Sequence, residues 1–528
     1  MHRCFQILEI VYLICEEISR IPKHKHTLAA LAGTCHSFEE PALAVLWATL
    51  PCITPLVRCL PPDCWTPHYL SEKIVIEKPI ALADCSRFFL NARRVRTLEI
   101  GGENSDHHAG PCIHMNVFDH LSIFAMGQCL VPNIKTLRWF PHNNPGLISH
   151  IHLFLGPKLE AISFEIGLAE ILPLSLLVNL KVQYPSLKCL EVKTYHGTTK
   201  HVEAISSVIR DWESLCDIRV PSLSNDALAY VATLPGLTHL GLSTTTRQEG
   251  FGELSQKDAF PDLRALTLGC KTSSFYTEVL KSISSRPLEV LNVLGDRSPR
   301  YELIDFFEVV EEHCDQSSLR TISFFDTMID KMGRRGTGPG SHFLFDLDDY
   351  IISPKVLEPL LYFSGLIEVD LDPVGSFDLD NAAVKDMAMA WPHLRRLSLG
   401  KRYPSTARPR VTLFGLLPIA EYCKNIEFLS ISIDARSGIR RGIVPETRGV
   451  RNGRLVTLGV GTSAIEEPML VGSFLSSVFP GLVDIVTLEP EIGNGDDKEE
   501  PGLTPSQELW GKVQDFISVF AFIRAEQV

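Results

Sequence analysis

The pattern L-x-x-L-x-L returns along most of this chain, and a short motif repeated at near-constant spacing restricts the fold more than any other feature. It reads Val95-Arg-Thr-Leu-Glu-Ile100, then Ile134-Lys-Thr-Leu-Arg-Trp139, then Leu159-Glu-Ala-Ile-Ser-Phe164. Further copies begin at Leu187, Leu215, Leu237, Leu263, Leu288, Leu319, Leu366, Leu394, Ile426 and Leu455, with a last one at Val483. Between Ile134 and Leu319 the first positions step by 25, 28, 28, 22, 26, 25 and 31 residues. Such a period belongs to leucine-rich repeats, and about fourteen copies are expected over residues 95–488.

The x-L-x-L core alternates with period two, so its apolar side chains point one way and their neighbours the other. Between copies the spacing turns helical, as in Val202, Ile205, Val208 and Ile209 before Leu215. Prolines such as Pro132, Pro185, Pro235, Pro261 and Pro392 precede many copies and force extended backbone on the residue before them. Strand then helix, repeated, predicts an α/β fold: a solenoid with a parallel sheet on its concave side and helices on the convex side. No single unit can bury its apolar face alone. Each depends on its neighbours.

Two connections break the rhythm. Leu319 to Leu366 contains the glycine-rich run 333–340, read as an exposed insertion; no Gly-Lys-[Ser/Thr] follows to make a phosphate loop. The second, Asp434 to Gly453, brings together Arg436, Arg440, Arg441, Arg448, Arg451 and Arg454. It reads as a solvated loop or as a surface for an acidic partner or RNA. Residues 489–501 form an acidic linker, and Trp510, Val513, Phe516, Ile517 and Phe520 then fall at helical spacing, predicting a capping helix within 489–528.

Composition narrows the function classes. Charged residues make up 21% and hydrophobic residues 45%, which suits a folded chain with a large core. The net charge of -13 argues against nucleic acid or an anionic membrane as the principal partner. Fourteen cysteines lie scattered without a C-x-x-C pair, no N-x-[ST] sequon occurs, and acidic residues interrupt the apolar N-terminus. A cytoplasmic or nuclear setting is expected.

Residues 1–50 follow a different pattern. Ile7, Ile10, Val11, Ile14 and Ile18 make one helical stripe; Leu28, Leu31, Ala32 and Cys35 make a second; Leu43, Leu46 and Trp47 begin a third. Three short amphipathic helices make a small core that gains by docking, and residues 51–94 read as a linker and N-terminal cap of the solenoid.

The stretches Phe5–Ile18, Leu28–Cys35 and Phe38–Trp47 resemble an F-box. The likeness is closest to mushroom-type fungal F-box proteins with divergent leucine-rich repeats. It extends to Leu56–Trp65, Ala92–Leu98 and Trp391–Leu399. One departure is that Leu8 stands where F-boxes usually carry proline. The resemblance implies the substrate-recognition subunit of a Skp/cullin/F-box-type ubiquitin ligase. Ile7, Leu8, Ile10, Val11, Ile14, Leu28, Leu31 and Trp47 would dock on a Skp-type adaptor joined to a cullin scaffold, and the repeats would hold a protein substrate.

No catalytic constellation is legible: there is no G-x-S-x-G elbow and no Walker motif. His107, His108, Cys112 and His114 cluster in one loop but match no standard zinc spacing, so neither metal nor cofactor is expected. An interaction scaffold with a degenerate F-box is the alternative reading, and a small-molecule-sensing receptor is suggested only by analogy. Under either of the first two, period two puts candidate substrate contacts on the concave face. These are Arg138, Glu191, Lys193, Arg219 and His239, then Glu368, Asp370 and Asp372 on one strand and Arg396 on the next. The three carboxylates read as a solvated acidic strip or as a site for a basic segment tuned by Arg396.

Overall fold

The computed structural model describes residues 5, 7–21, 24–67, 73–81, 85–101, 113–140, 145–166, 172–194, 198–243, 259–270, 273–283, 287–326, 347–400, 408–436, 449–487 and 504–526. The chain divides into two compact units, Met1–Leu228 and Ala229–Val528. In each, the strands of the long sheet run parallel and in sequence order, and every described strand from Thr97 onward falls on one of the repeat copies. Both units are leucine-rich-repeat stacks.

The first unit opens with three helices, Leu8–Ser19, His24–Ala32 and His36–Ala48. Their shared core is Val11, Cys15, Leu28, Phe38 and Ala42, with Ile18, Leu31 and Leu46 packed at its margin. The third helix runs without a break into a strand at Thr49–Leu50, which pairs with Thr97–Ile100. That strand is too short to carry the repeat pattern, yet it sets the first rung. Helix Thr54–Val57, an antiparallel pair at Trp65–Pro67 and Ile74–Ile76, and helix Ser86–Ala92 fill the interval before the first copy.

From there the strands Thr97–Ile100, Thr136–Trp139, Ala161–Ile166, Cys189–Thr194 and Asp217–Val220 stack in register. Fourth positions align as Leu98, Leu137, Ile162, Leu190 and Ile218, all fully buried. At about 1.5–3 kcal/mol for each aliphatic side chain taken wholly out of water, this row is a principal source of cohesion. Aromatic residues enter at the sixth position, where Trp139 packs against Phe118 and Phe154.

The second unit repeats the arrangement over nine strands, from His239–Ser243 to Asp484–Thr487. Its fourth-position row runs Leu240, Leu266, Leu291, Ile322, Val369, Leu397, Leu429, Leu458 and Ile485. Because Ile485 aligns with Leu458, the last copy begins at Leu482 and not at Val483. Leu482 is 2% exposed and Val483 57%. Helix Pro505–Glu526 packs on helix Pro468–Val478 and buries Trp510, Val513 and Ile517. The Trp510 indole N–H donates to the Ser463 carbonyl at 2.9 Å.

A recurring backbone device holds the register. The amides of the second and third positions of one copy share the second-position carbonyl of the copy before. Lys135 and Thr136 both donate to Arg96 O at 2.7 and 3.0 Å, and Arg395 and Arg396 to Ile367 O at 2.8 and 3.1 Å. Side chains at the second position alternate in charge in places. Lys135 and Lys188 lie 2.9 and 3.3 Å from the Glu160 carboxylate and hold its pKa below the usual range. Being exposed, such pairs add little each.

Candidate interaction surfaces

In the three-helix module the first helix presents three faces, since residues advance about 100° each. Val11, Cys15 and Ile18 turn inward to the module core. Ile7, Ile10 and Ile14 lie on one flank of that stripe, and Tyr12, Glu16 and Ser19 on the other. Ile7 and Leu8 are 47% and 55% exposed, Leu13 and Ile21 are exposed as well, and Ile10 and Ile14 are half-buried.

Val11 and Leu28 are 1% and 0% exposed. They form no contact surface, contrary to the expectation from sequence, because they face the core shared by the three helices; they support the exposed flank from within. Leu31 and Trp47 are half-buried. Leu8 is the first helical residue after Ile7, whose backbone is extended at φ -93° and ψ 108°. The apolar residues open to a partner are therefore Ile7 and Leu8, with Leu13 and Ile21 added by the structure. Leu13 falls outside the i, i+3, i+4 stripe, so periodicity alone did not select it.

On the sheet face opposite the helices, the candidate cations of the first unit are already compensated. Arg138 lies 3.8 Å from Glu99 on the same rung. Lys193 lies 3.8 Å from Glu191 and sits over the Phe140 ring at 4.6 Å. Arg219 makes a two-pronged contact with Asp217, both arms at 3.0 Å.

In the second unit, His239 is exposed and its ring meets the Thr238 hydroxyl at 2.8 Å. The carboxylates on Glu368–Asp372 do not form an open acidic strip. Glu368 is exposed, but Asp370 and Asp372 are 7% and 0% exposed. Both sit in a continuous sheet beside larger or close-set neighbours, Asp370 between Ser323 and Ser398 and Asp372 next to Phe325. The Arg396 Nε reaches to 3.8 Å from Asp370, and its guanidinium lies 3.8 Å above the Phe428 ring. Phe428 was legible in principle: it occupies the third position of its copy and pairs directly with Arg396.

Other sequence candidates resolve into structure or lie outside the described residues. The run 333–340, residues 437–448 and 489–501, and His107, His108 and Cys112 are among the latter. His114 begins helix Met115–Ala125, its Nδ1 accepting the Asn116 amide at 3.2 Å. Arg436 donates to the Asp434 carboxylate at 3.0 Å. Arg451 and Arg454 are exposed. Burial pushes the thiols of Cys314 and Cys423 up to about 12, far from a nucleophilic thiolate. Among the described residues no group of His, Cys, Asp and Glu is placed to hold a metal, and no helix is long and apolar enough to cross a membrane.

No family model matches the sequence, and no curated protein matches it. Among solved structures, the chain is similar to one in the crystal structure of the Rad7 and Elc1 complex of yeast. The TM-score is 0.36 and the identity 15%, over 66% of this chain and 73% of that one. It is also similar to the leucine-rich repeat-containing protein LegL7 from Legionella pneumophila, with TM-score 0.25 and 12% identity over 72% of this chain and 97% of that one. The repeat architecture itself stands on the strand register and on the buried leucine rows.

Proposed function

We propose that this chain is the substrate-recognition subunit of a Skp/cullin/F-box-type ubiquitin ligase, non-catalytic itself and working in the cytoplasm or nucleus. The observation that carries the reading is the exposed pair Ile7 and Leu8 at the head of a three-helix module that already has its own core. Apolar side chains left in water beside a completed core mark a docking surface. The F-box likeness of this segment names the partner, a Skp-type adaptor on a cullin scaffold. The repeat sheet would then hold a protein substrate.

The test is co-purification. A tagged chain should retain the adaptor, and Ile10→Asp with Ile14→Asp should abolish that retention while the repeats stay folded. Two carboxylates pressed into an apolar contact cost several kcal/mol. No adaptor on the unaltered chain would sink the proposal.

A scaffold whose module only caps the stack is the second reading, and one observation favours it. The module is tied to the first repeat: Arg94 pairs with Glu40, the Arg96 amide donates to Ala48 O at 2.8 Å, and the third helix becomes the first strand. Under that reading the double aspartate variant loosens the first repeats instead of releasing a partner.

A further inference from the structure

Between the three-helix module and the first repeat lies a cleft that the ligase reading does not use. One wall is the Tyr12–Glu16–Ser19 flank of the first helix, turned away from Ile7, Ile10 and Ile14. The floor is apolar, built from Val45, Leu46 and Leu90, the last 55% exposed. The rim is cationic. Lys25, Arg93 and Arg96 are exposed and line the cleft. Arg94 is occupied by Glu40, and Arg96 donates to the carbonyls of Arg93 and Asn133 at 3.2 and 3.3 Å. Among the described residues, Lys25 and Arg93 have no ion-pair partner.

The chain's net charge is -13, yet cations rim this cleft. On the sheet face of the same unit, Arg138, Lys193 and Arg219 each stand by a carboxylate. In the cleft, two exposed cations flank exposed leucine, and the acids present are Glu40, spent on Arg94, and Glu16. A second, independent feature is the strand Thr49–Leu50. Thr49 lines the cleft, is exposed, and belongs to the strand that ends the sheet. An edge strand offers backbone groups that an extended chain can pair with.

We infer that this cleft binds an extended acidic segment of a partner protein, its carboxylates meeting Lys25 and Arg93 and its apolar side chains covering Leu90. The apolar floor favours such a peptide over a nucleic-acid backbone, which presents phosphates without apolar side chains between them. The surface lies on the opposite flank of the first helix from Ile7, Ile10 and Ile14, so its occupation is compatible with a second partner there.

The test uses the full chain and fluorescence anisotropy of a labelled, alternating Glu–Leu peptide of about ten residues, long enough to lie along one sheet edge. The peptide should bind, and raising salt from about 50 to about 500 mM should weaken binding roughly tenfold or more, because exposed charges are screened. Lys25→Glu with Arg93→Glu should produce a loss of the same order at low salt. Leu90→Ser should weaken binding at every salt concentration. All three side chains are exposed, so circular dichroism should find each variant folded. Unchanged peptide binding in the double charge reversal would overturn the inference. So would tighter binding of an oligothymidylate of equal charge, which would make the surface a nucleic-acid site. Self-association lost in the double reversal would give the cleft to a second copy and equally overturn it.

Discussion

The Gln514 side-chain oxygen accepts the Ile485 amide at 2.6 Å while its nitrogen donates to the Val483 carbonyl at 2.5 Å. A side-chain amide thus pairs with the strand Asp484–Thr487 as a further strand would. Natural sheets blunt their edges because an open edge recruits other chains. Here the helix Pro505–Glu526 brings the device, held in place by Trp510, Val513 and Ile517.

Gln514→Ala should therefore leave the helix seated and the edge open. The lost pair of hydrogen bonds should cost about 1–2 kcal/mol. The larger effect should be self-association, encouraged by exposed Val483 and Val486 on the same strand. Analytical ultracentrifugation over a concentration series measures it. Equal association in variant and unaltered chain would show that Gln514 does not guard the edge.

Leu8→Pro should be tolerated, although proline usually breaks helices. Leu8 is the first helical residue, where an amide has no intrahelical acceptor, and Ile7 before it is already extended. The substitution should leave the helix intact and raise the module's stability by up to about 0.4–1 kcal/mol by restricting the unfolded chain. Hydrogen exchange across Leu8–Ser19 reads this out; faster exchange throughout the helix would contradict it.

Leu266 is fully buried at a fourth position, between Leu240 and Leu291. Leu266→Ala should destabilise the second unit by about 2–5 kcal/mol. Because repeats couple to nearest neighbours, protection should fall first in His239–Ser243 and Val290–Gly295 and last at Asp484–Thr487. Uniform loss along the unit would mean that it melts as one block.

The repeat was legible because its signal is redundant: leucines at positions one, four and six recur under one physical demand, burial against the neighbouring copy. Where that redundancy thins, register slips. Leu482 and Val483 are both apolar and adjacent, and only pairing with Leu458 decides between them. The two-residue strand Thr49–Leu50 is shorter than any period. Alternation sets Asp370 and Asp372 out of phase with Val369 and Leu371, but their burial depends on the neighbouring strands, which sequence distance does not reveal. The basic cleft escaped for the same reason, its residues being spread from Tyr12 to Arg96.

Asp326 supplies a prediction in pH. It ends the strand Thr321–Asp326, is fully buried, and accepts hydrogen bonds from the Ser298 amide and hydroxyl and from the Val374 amide, at 3.0–3.3 Å. One carboxyl thus joins the loops of three successive repeats. Burial pushes its pKa up to about 6, with Asp296 adding to the rise, against the pull of those donors. In the unfolded chain the same group titrates near the ordinary value of 3.8. A folded pKa above the unfolded one means that the fold binds the proton more tightly. The cost of burying the charged form is therefore complete above about pH 6 and is relieved as pH falls toward about 4. A shift of about two units corresponds to roughly 3 kcal/mol at most. Asp315 in the same unit has a lowered pKa, so its contribution is lost only at more acid pH and does not blur this window. Urea unfolding at about pH 5 and about pH 7 should show the second unit more stable at the lower value, by a margin within that ceiling. Asp326→Asn cannot titrate and sets an amide N–H₂ against the Val374 amide, so it should lower stability and erase this difference. A variant that keeps the full pH dependence would show that the titrating group lies elsewhere.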